Sequence, residues 1–179
     1  MSVKIVRAQE PNTGRIIVVS DIHGNIDCFG RLMEKVGFSK EDTLVILGDF
    51  LEKGPKNLLT LRTMMELDKN ENIHILGGNC EIIWQFIKDS SLDSWFLPYS
   101  LSKKSLIEEM CNELFIEIDI NADLKQLKKS VASAYQRELR WLEELPVIME
   151  TDNYIFVHAA LVSEKLEQQS FFECVKTDG

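Results

Sequence analysis

The sequence predicts an α/β protein with a mainly parallel β-sheet, and two features of the chain support this. Short runs of β-branched and other apolar residues alternate with longer segments whose apolar residues recur at helical spacing. Residues that form turns or cap helices separate these segments, as is typical of βαβ units with right-handed crossovers. A chain of 179 residues is long enough for a hydrophobic core, so we expect a single domain over residues 1–179.

Three predicted strands lie in the first half of the chain, and a helix follows each of them. The strands are runs rich in Ile, Val and Leu at residues 16–19, 43–47 and 73–76. The helices cover residues 26–36, 55–67 and 82–87. Asn25 is a favourable N-cap for the first helix, and Gly37 is a common C-terminal stop. Pro55 suits the first turn of the second helix.

The pattern changes between about residue 90 and residue 145, where no strand is predicted. Apolar residues at helical spacing indicate one amphipathic helix at 106–114 and a longer one at 124–142. We therefore expect a helical insert over about 90–145 that ends at Pro146. The insert is either a lid or partner surface over a functional site, or an extension that only adds packing.

The C-terminal part of the chain contains a fourth predicted strand at residues 154–157. The signal weakens after this strand, so that 164–169 is a helical candidate and 171–179 has no assignment. Because the last residues show no terminating pattern, we expect these 179 residues to be the front portion of a longer chain.

Charge and composition exclude several classes of partner. The formal net charge of -9 argues against nucleic acid and anionic membranes as general partners. No apolar run approaches the roughly 18 residues of a membrane-spanning helix, and residues 1–11 lack a signal-peptide core. The four cysteines show no C-x-x-C spacing, which favours reduced thiols. We therefore expect a cytoplasmic protein with no nucleic-acid or membrane partner.

Each predicted strand ends in residues that can bind a metal ion: Asp21 with His23, then Asp49, Asn79 and His158. In an extended backbone, x-Asp-x-His spacing places both side chains on one side. Taken singly, such residues are most often turn formers or hydrogen-bonded histidines. Together, at the carboxyl edge of one sheet, they predict a metal site.

Oxygen and imidazole ligands suit Mn, Fe or Zn better than Ca. A carboxylate that bridges two ions about 3.5–4 Å apart gives the two-metal arrangement that acts on phosphate esters. Asp49 is the natural bridge, because its strand follows the strand that bears Asp21 and His23. We expect two divalent ions, with Mn²⁺ first and Fe or Zn as alternatives.

Four segments carry a resemblance to a known family: D-I-H-G-N at 21–25, G-D-F-L-E-K-G at 48–54, G-N-C-E at 78–81 and V-H-A at 157–159. They resemble the D-x-H-G-N, G-D-x-x-D-R-G, G-N-H-E and H-A-G motifs of the calcineurin-like metallophosphoesterases. The branch they resemble most is the serine/threonine protein phosphatases with their bacterial relatives. The resemblance implies a sandwich of two sheets flanked by helices, with the second sheet incomplete here.

The resemblance also implies roles for individual residues. Asp21 and His23 would hold the first metal ion and Asp49 would bridge the two ions. Asn79 and His158 would hold the second ion, and no histidine after His158 is available to complete it.

The chain departs from the family in the residues that handle the phosphate. Cys80 stands where the family has the histidine that is expected to protonate the leaving oxygen, and Glu52 stands for its aspartate partner. We take both as catalytic candidates, although a thiol is a poor hydrogen-bond donor. Loss of a general acid typically costs about 10²–10⁴-fold in rate. Lys53 stands where the family has an arginine. We take Lys53 and Asn79 as the substrate-binding candidates, and we expect Lys53 to bind phosphate more weakly than an arginine would.

Three hypotheses for function follow. The first is a serine/threonine protein phosphatase-like phosphoesterase, in which a metal-bridging hydroxide attacks a phosphomonoester. Its substrate would be a phosphoprotein or a small phosphoester. The second is a binding or regulatory protein that keeps the metal ligands but has little or no turnover. The third, suggested by bacterial relatives of similar motif pattern, is a dinucleoside polyphosphate hydrolase.

Overall fold

The computed structural model describes residues 3–92, 104–116 and 124–176 and shows a mixed α/β fold, as predicted. Within these ranges the strands are β1 (Ile5–Arg7), β2 (Ile16–Val19), β3 (Thr43–Ile46), β4 (Ile73–Ile75), β5 (Ile148–Glu150) and β6 (Ile155–Val157). The α-helices are α1 (Ile26–Val36), α2 (Asn57–Leu67), α3 (Ile83–Lys88), α4 (Leu106–Glu113), α5 (Leu124–Ala134), α6 (Gln136–Glu144) and α7 (Phe171–Val175). Short 3₁₀ turns cover Cys80–Ile82, Ser90–Leu92 and Leu166–Gln168.

The first sheet has the order β2-β3-β4, and all of its strands are parallel. The central strand β3 is buried at all four positions. Its apolar residues read as a continuous run because helices cover one face and a second sheet covers the other. Parallel strands bring their carboxyl ends to one edge, so the loops that follow β2, β3 and β4 lie side by side.

The second sheet has the order β1-β5-β6, in which β1 pairs parallel to β5 and β5 pairs antiparallel to β6. The two-sheet architecture implied by the family resemblance is therefore confirmed. The expectation that all four predicted strands share one sheet is wrong, since the fourth, β6, belongs to the second sheet. Strands β1 and β5 escaped prediction because three residues are too short to show alternation.

The two sheets pack face to face. Val45 of β3, Leu76 after β4 and Met149 of β5 form a buried cluster between them, and Ile16 and Phe156 pack against it. The residues of β3 on either side of Val45 point the other way, into the larger core that the helices cover. This sandwich brings β6, and with it His158, to the edge at which the first sheet carries its loops.

The helical region largely follows the prediction, with one break. Helices α4, α5 and α6 lie in the predicted insert, whose residues 93–103 and 117–123 fall outside the described ranges. The single long helix predicted at 124–142 is wrong, because the chain leaves the helical conformation at Tyr135, with φ -113° and ψ 34°. The Tyr135 hydroxyl donates to Glu113 Oε2 at 2.6 Å, which anchors the break on α4. No described helix is both long and apolar enough to cross a bilayer.

The ends of the elements differ from prediction in small ways. Asn25 stands at the N-cap position of α1 as predicted, but its side chain makes no capping hydrogen bond and donates instead to the carbonyls of Ile22 and His23. Gly37 ends the helix in a left-handed conformation with φ 61°. Helix α2 begins at Asn57, two residues after Pro55. Residues 164–169 contain only a 3₁₀ turn, and α7 lies in the stretch that had no assignment.

The described helices of the insert bury apolar side chains in the main core, which agrees with a packing role.

The core between α2 and the helical region gives a first prediction. Leu61 is 0% exposed, whereas Leu59 on the same helix is 51% exposed. We expect Leu61→Ala to lower the free energy of unfolding by about 2–5 kcal/mol, because it removes buried methyl groups and leaves a cavity. Leu59→Ala should change it by less than about 0.5 kcal/mol. Urea denaturation of both variants is the measurement, and equal losses would contradict this packing.

Candidate metal centre

The loops after β2 and β3 run next to each other beyond the ends of their strands. Their backbones stay paired through three hydrogen bonds: Asp21 N–H to the Gly48 carbonyl at 3.2 Å, His23 N–H to the Asp49 carbonyl at 3.0 Å, and Gly24 N–H to the Phe50 carbonyl at 2.8 Å. This contact is close. A Cβ atom on Gly54 would lie 1.7 Å from the His23 carbonyl oxygen, so the loops tolerate only glycine there.

The backbone of both loops is left-handed at residues that are not glycine. The φ angles of Asp21, His23, Asp49, Glu52 and Lys53 lie at 56°, 47°, 51°, 65° and 68°. Such angles are uncommon for residues with a side chain, and they cluster at functional sites. The assumption that Asp21 and His23 lie on an extended backbone is therefore wrong. Their side chains meet because the loop coils.

The carboxylate of Asp49 lies at the centre of the cluster. It is buried, with 3% of its surface exposed. Its Oδ2 lies 3.9 Å from His23 Nε2 and its Oδ1 lies 3.6 Å from His158 Nε2, so each oxygen faces one histidine. Asp21 lies next to His23, with its Oδ1 3.5 Å from His23 Nε2. The fold thus brings together four of the five residues predicted as metal ligands.

Both histidines are oriented by the backbone. His23 Nδ1 lies 2.9 Å from the Leu51 carbonyl, and His158 Nδ1 lies 2.9 Å from the Leu47 carbonyl. A carbonyl only accepts, so each Nδ1 carries a proton and donates it, which assigns the lone pair of the neutral ring to Nε2. Histidines that bind metals are held in this way. The donor set of carboxylates and imidazole Nε2 atoms therefore fits divalent cations such as Mn²⁺, Fe²⁺ or Zn²⁺.

Cys80 and Asn79 lie beside this cluster. The Cys80 N–H donates to Asp49 Oδ1 at 3.0 Å, and one ligand atom each of Cys80, His23 and Asp49 lies within 4.8 Å of the other two. The Asn79 amide nitrogen lies 3.7 Å from Cys80 Sγ. Burial raises the pKa of the Cys80 thiol far above its ordinary value, and the neighbouring Glu81 and Asp49 carboxylates raise it further.

Lys53 lies at the exposed rim of the cluster. Its ammonium nitrogen is 3.1 Å from His23 Nε2. It is the cationic side chain that directly contacts the predicted ligands in the described part of the chain. This position agrees with the predicted contact to a phosphate group, which itself stays a prediction.

Glu52 contacts the helical region. Its Oε1 accepts a hydrogen bond from the Leu106 N–H at 2.9 Å, at the start of α4. In return Glu109 of α4 accepts from the Asn57 N–H at 2.6 Å and from the Leu58 N–H at 2.8 Å, at the start of α2. Glu52 thus caps the N-terminus of α4, and Glu109 of α4 caps the N-terminus of α2. The pairing of Glu52 with Cys80 as an acid dyad stays a prediction.

Glu81 is a site residue that the sequence analysis missed. Its buried carboxylate accepts hydrogen bonds from the N–H groups of Asp49 at 2.7 Å, Gly78 at 2.8 Å and Leu51 at 3.1 Å. Burial raises its pKa to about 8, with Asp49 as the second cause. It ties the loop after β3 to the loop after β4. The available signal was the last position of the G-N-C-E segment, to which no role was assigned.

Comparisons with known proteins agree with this geometry. A family model described as calcineurin-like phosphoesterase matches residues 14–173. The symmetrical bis(5'-nucleosyl)-tetraphosphatase of Vibrio parahaemolyticus is 24% identical over 160 residues, which cover 89% of this chain and 49% of the relative. The same enzyme of Wigglesworthia glossinidia brevipalpis is 28% identical over 149 residues, with 81% and 44% covered. The chain thus spans about half the length of these curated relatives.

Solved structures show the same fold. A crystal structure of a candidate diadenosine tetraphosphatase aligns with a TM-score of 0.58 and 23% identity, covering 97% of this chain and 62% of the other. A protein serine/threonine phosphatase of Saccharomyces cerevisiae aligns with a TM-score of 0.56 and 18% identity, covering 90% and 43%. At these identities the alignments show a shared fold.

The contacts of Glu81 give a second prediction. Glu81→Ala leaves three backbone N–H groups without their acceptor, and each buried unsatisfied donor costs about 1–3 kcal/mol. We expect a loss of about 3 kcal/mol or more in the free energy of unfolding. Glu71 is exposed, so Glu71→Ala is the matched control and should change little. Urea denaturation compares the two, and a Glu81→Ala protein as stable as wild type would contradict the role of this carboxylate.

The environment of Glu52 gives a third prediction, on pH. Burial first, and Glu109 in addition, raise the pKa of Glu52 from 4.5 to about 7, against the opposing effect of the Leu106 N–H. Because the folded state holds the proton more tightly, this group's contribution to stability is full below pH 4.5 and is lost as the pH rises through 7.

Glu52→Gln cannot ionise, so its stability relative to wild type should rise by roughly 2–3 kcal/mol between pH 5 and pH 8. Denaturation curves of both proteins at several pH values measure this difference. The exposed Glu71→Gln is the control and should show no comparable trend. A constant difference between Glu52→Gln and wild type would contradict the prediction.

Proposed function

Because the chain belongs to the calcineurin-like phosphoesterase family, we propose that it is a metal-dependent phosphohydrolase of phosphoanhydrides, in the substrate class of the dinucleoside tetraphosphates. The observation that carries the proposal is the convergence of His23 Nε2 and His158 Nε2 on the two oxygens of Asp49. A carboxylate that faces a different imidazole with each oxygen is suited to bridge two cations.

In this proposal Asp21, His23 and Asp49 hold one divalent ion, and Asp49, Asn79 and His158 hold the other. When bound, such ions neutralise phosphate charge and make a coordinated water more acidic. The carbonyls of Leu51 and Leu47 fix the orientation of the two imidazoles, so that each Nε2 faces Asp49. Glu81 keeps Asp49 in place through the Asp49 N–H. The presence of two ions, and their identity as divalent metal ions, are likewise proposed.

Lys53 is proposed to bind the phosphate chain of the substrate. Its ammonium group stands at the exposed rim, 3.1 Å from His23 Nε2, where it supplies positive charge. An ammonium group acts as a point charge and lacks the two-pronged geometry of arginine. A chain of several phosphates offers more negative charge near this point than a single phosphomonoester does, which favours the polyphosphate.

The choice of an anhydride rests on the leaving group. The neutral thiol of Cys80 occupies the position of the family's acid and is a weak proton donor. Glu52, which stands for the partner of the family's acid, accepts a hydrogen bond from the Leu106 N–H at the start of α4. A phosphate leaving group, with a pKa near about 6, departs as an anion at neutral pH, whereas a serine hydroxyl leaves only with a proton. The names of the curated relatives, which are bis(5'-nucleosyl)-tetraphosphatases, support the same class.

A second candidate function is a binding protein that keeps the metal ligands without useful turnover. Cys80 in the acid position and the exposed lysine in place of an arginine favour it. The two proposals share the metal centre and differ in turnover alone, so an activity measurement separates them.

The fourth prediction concerns this activity. With Mn²⁺ present, the protein should hydrolyse diadenosine tetraphosphate faster than a phosphoserine peptide, and chromatography of the released nucleotides measures the rate. Asp49→Asn should lower the rate by about 10²-fold or more, because it removes the charge shared by the ions. Asp27 is exposed and paired with Lys56, so Asp27→Asn is a matched control that should keep wild-type activity.

Two results would contradict parts of the proposal. A wild-type rate no higher than that of Asp49→Asn would favour the binding protein. A faster reaction with the phosphoserine peptide than with the dinucleotide would favour the phosphomonoesterase.

A further inference from the structure

We infer that Cys80 is a metal ligand, and that its sulfur, with His23 and Asp49, makes the first metal position selective for Zn²⁺ or Co²⁺ over Mn²⁺. The inference rests on the metal centre of the proposed function and deepens it, since it adds a ligand and names the class of cation. It also gives Cys80 a role other than that of proton donor.

The geometry places three different donor atoms around one point. One ligand atom each of His23, Asp49 and Cys80 lies within 4.8 Å of the other two. Ligands of a tetrahedral zinc ion lie about 3.3–3.8 Å apart, as follows from metal–ligand bonds of about 2.0–2.3 Å. A change of about 1 Å in side-chain position closes the difference. Asp21 Oδ1 lies 3.5 Å from His23 Nε2 and does not belong to this group of three.

The backbone holds Cys80 against Asp49 from two directions. The Cys80 N–H donates to Asp49 Oδ1 at 3.0 Å. The next residue, Glu81, accepts from the Asp49 N–H at 2.7 Å and from the Leu51 N–H at 3.1 Å. These bonds set the position of the Cys80 backbone relative to Asp49, and the short side chain keeps the sulfur close to that carboxylate.

The other cysteines differ from Cys80 in their surroundings. Cys111 lies in the main hydrophobic core, and Cys174 lies in a smaller apolar cluster beside the second sheet. Cys28 is exposed on α1. In the described part of the chain, Cys80 is the cysteine that lies among groups that bind metals.

The chemistry of sulfur gives the preference. Thiolate is a soft ligand and favours Zn²⁺ and Co²⁺, whereas Mn²⁺ prefers carboxylate and water oxygens. As the bond between sulfur and metal forms, the S–H bond breaks and its proton passes to the solvent. The sulfur then has no proton to give to a leaving group, which agrees with a substrate whose leaving group needs none.

Titration of the metal-free protein with Co²⁺ tests the inference. Bound Co²⁺ gives visible ligand-field bands with any ligands, and an additional near-ultraviolet charge-transfer band only when sulfur is bound. We expect both in wild type. Cys80→Ser should keep the visible bands and lose the near-ultraviolet band, and its Zn²⁺ dissociation constant should rise roughly tenfold or more while that for Mn²⁺ changes less. Cys28→Ser is the matched control and should keep both bands.

Visible bands without the near-ultraviolet band in wild type would overturn the inference and leave the proposed metal centre standing. A near-ultraviolet band that survives in Cys80→Ser would overturn it too. Wild type without any cobalt bands would overturn both proposals.

Discussion

The buried carboxylate of Glu81 is the interaction on which the rest of the site depends. It accepts three backbone N–H groups from the loops after β3 and β4 and so joins the carboxyl ends of two adjacent strands. A buried carboxyl group costs free energy unless hydrogen bonds satisfy its oxygens, and these three bonds do so. The same bonds fix Asp49 and Cys80 relative to each other. The cluster is therefore built on the backbone, and the ligand side chains add to a frame that already exists.

That frame also explains the unusual conformation of the loops. Asp21, His23 and Asp49 adopt left-handed backbone angles, which are unfavourable for residues with a side chain. Hydrogen bonds between the two loops, and the close approach that Gly54 permits, offset this cost. The reciprocal caps of Glu52 and Glu109 tie the same region to α2 and α4. The helical region therefore supports the loop after β3 directly.

Much of the site could be predicted from the sequence, because the motifs fix both residue type and order along the chain. Asp21, His23, Asp49 and His158 do converge, as their places after strands suggested. Other features could not be predicted, since they depend on contacts between distant residues. The roles of Glu81 and Glu109 require knowledge of which backbone N–H groups lie opposite them.

The same distinction applies to the fold. The strands of the first sheet have strong local signals, whereas β1 and β5 are only three residues long and exist because they pair with each other. The assignment of β6 to the wrong sheet has a similar cause, since alternation does not identify a strand's neighbour. The break at Tyr135 lies within continuous helical periodicity, where the Tyr135 hydroxyl donates a hydrogen bond to Glu113 on α4.

The central claim is that Asp49 and the two histidines that face it hold divalent cations. Anomalous diffraction from crystals soaked in Co²⁺, measured near the cobalt absorption edge, tests it most directly. We predict anomalous peaks between Asp49 and His23 Nε2 and between Asp49 and His158 Nε2. Data of equal quality without a peak beside Asp49, or with peaks only at surface carboxylates, would contradict it.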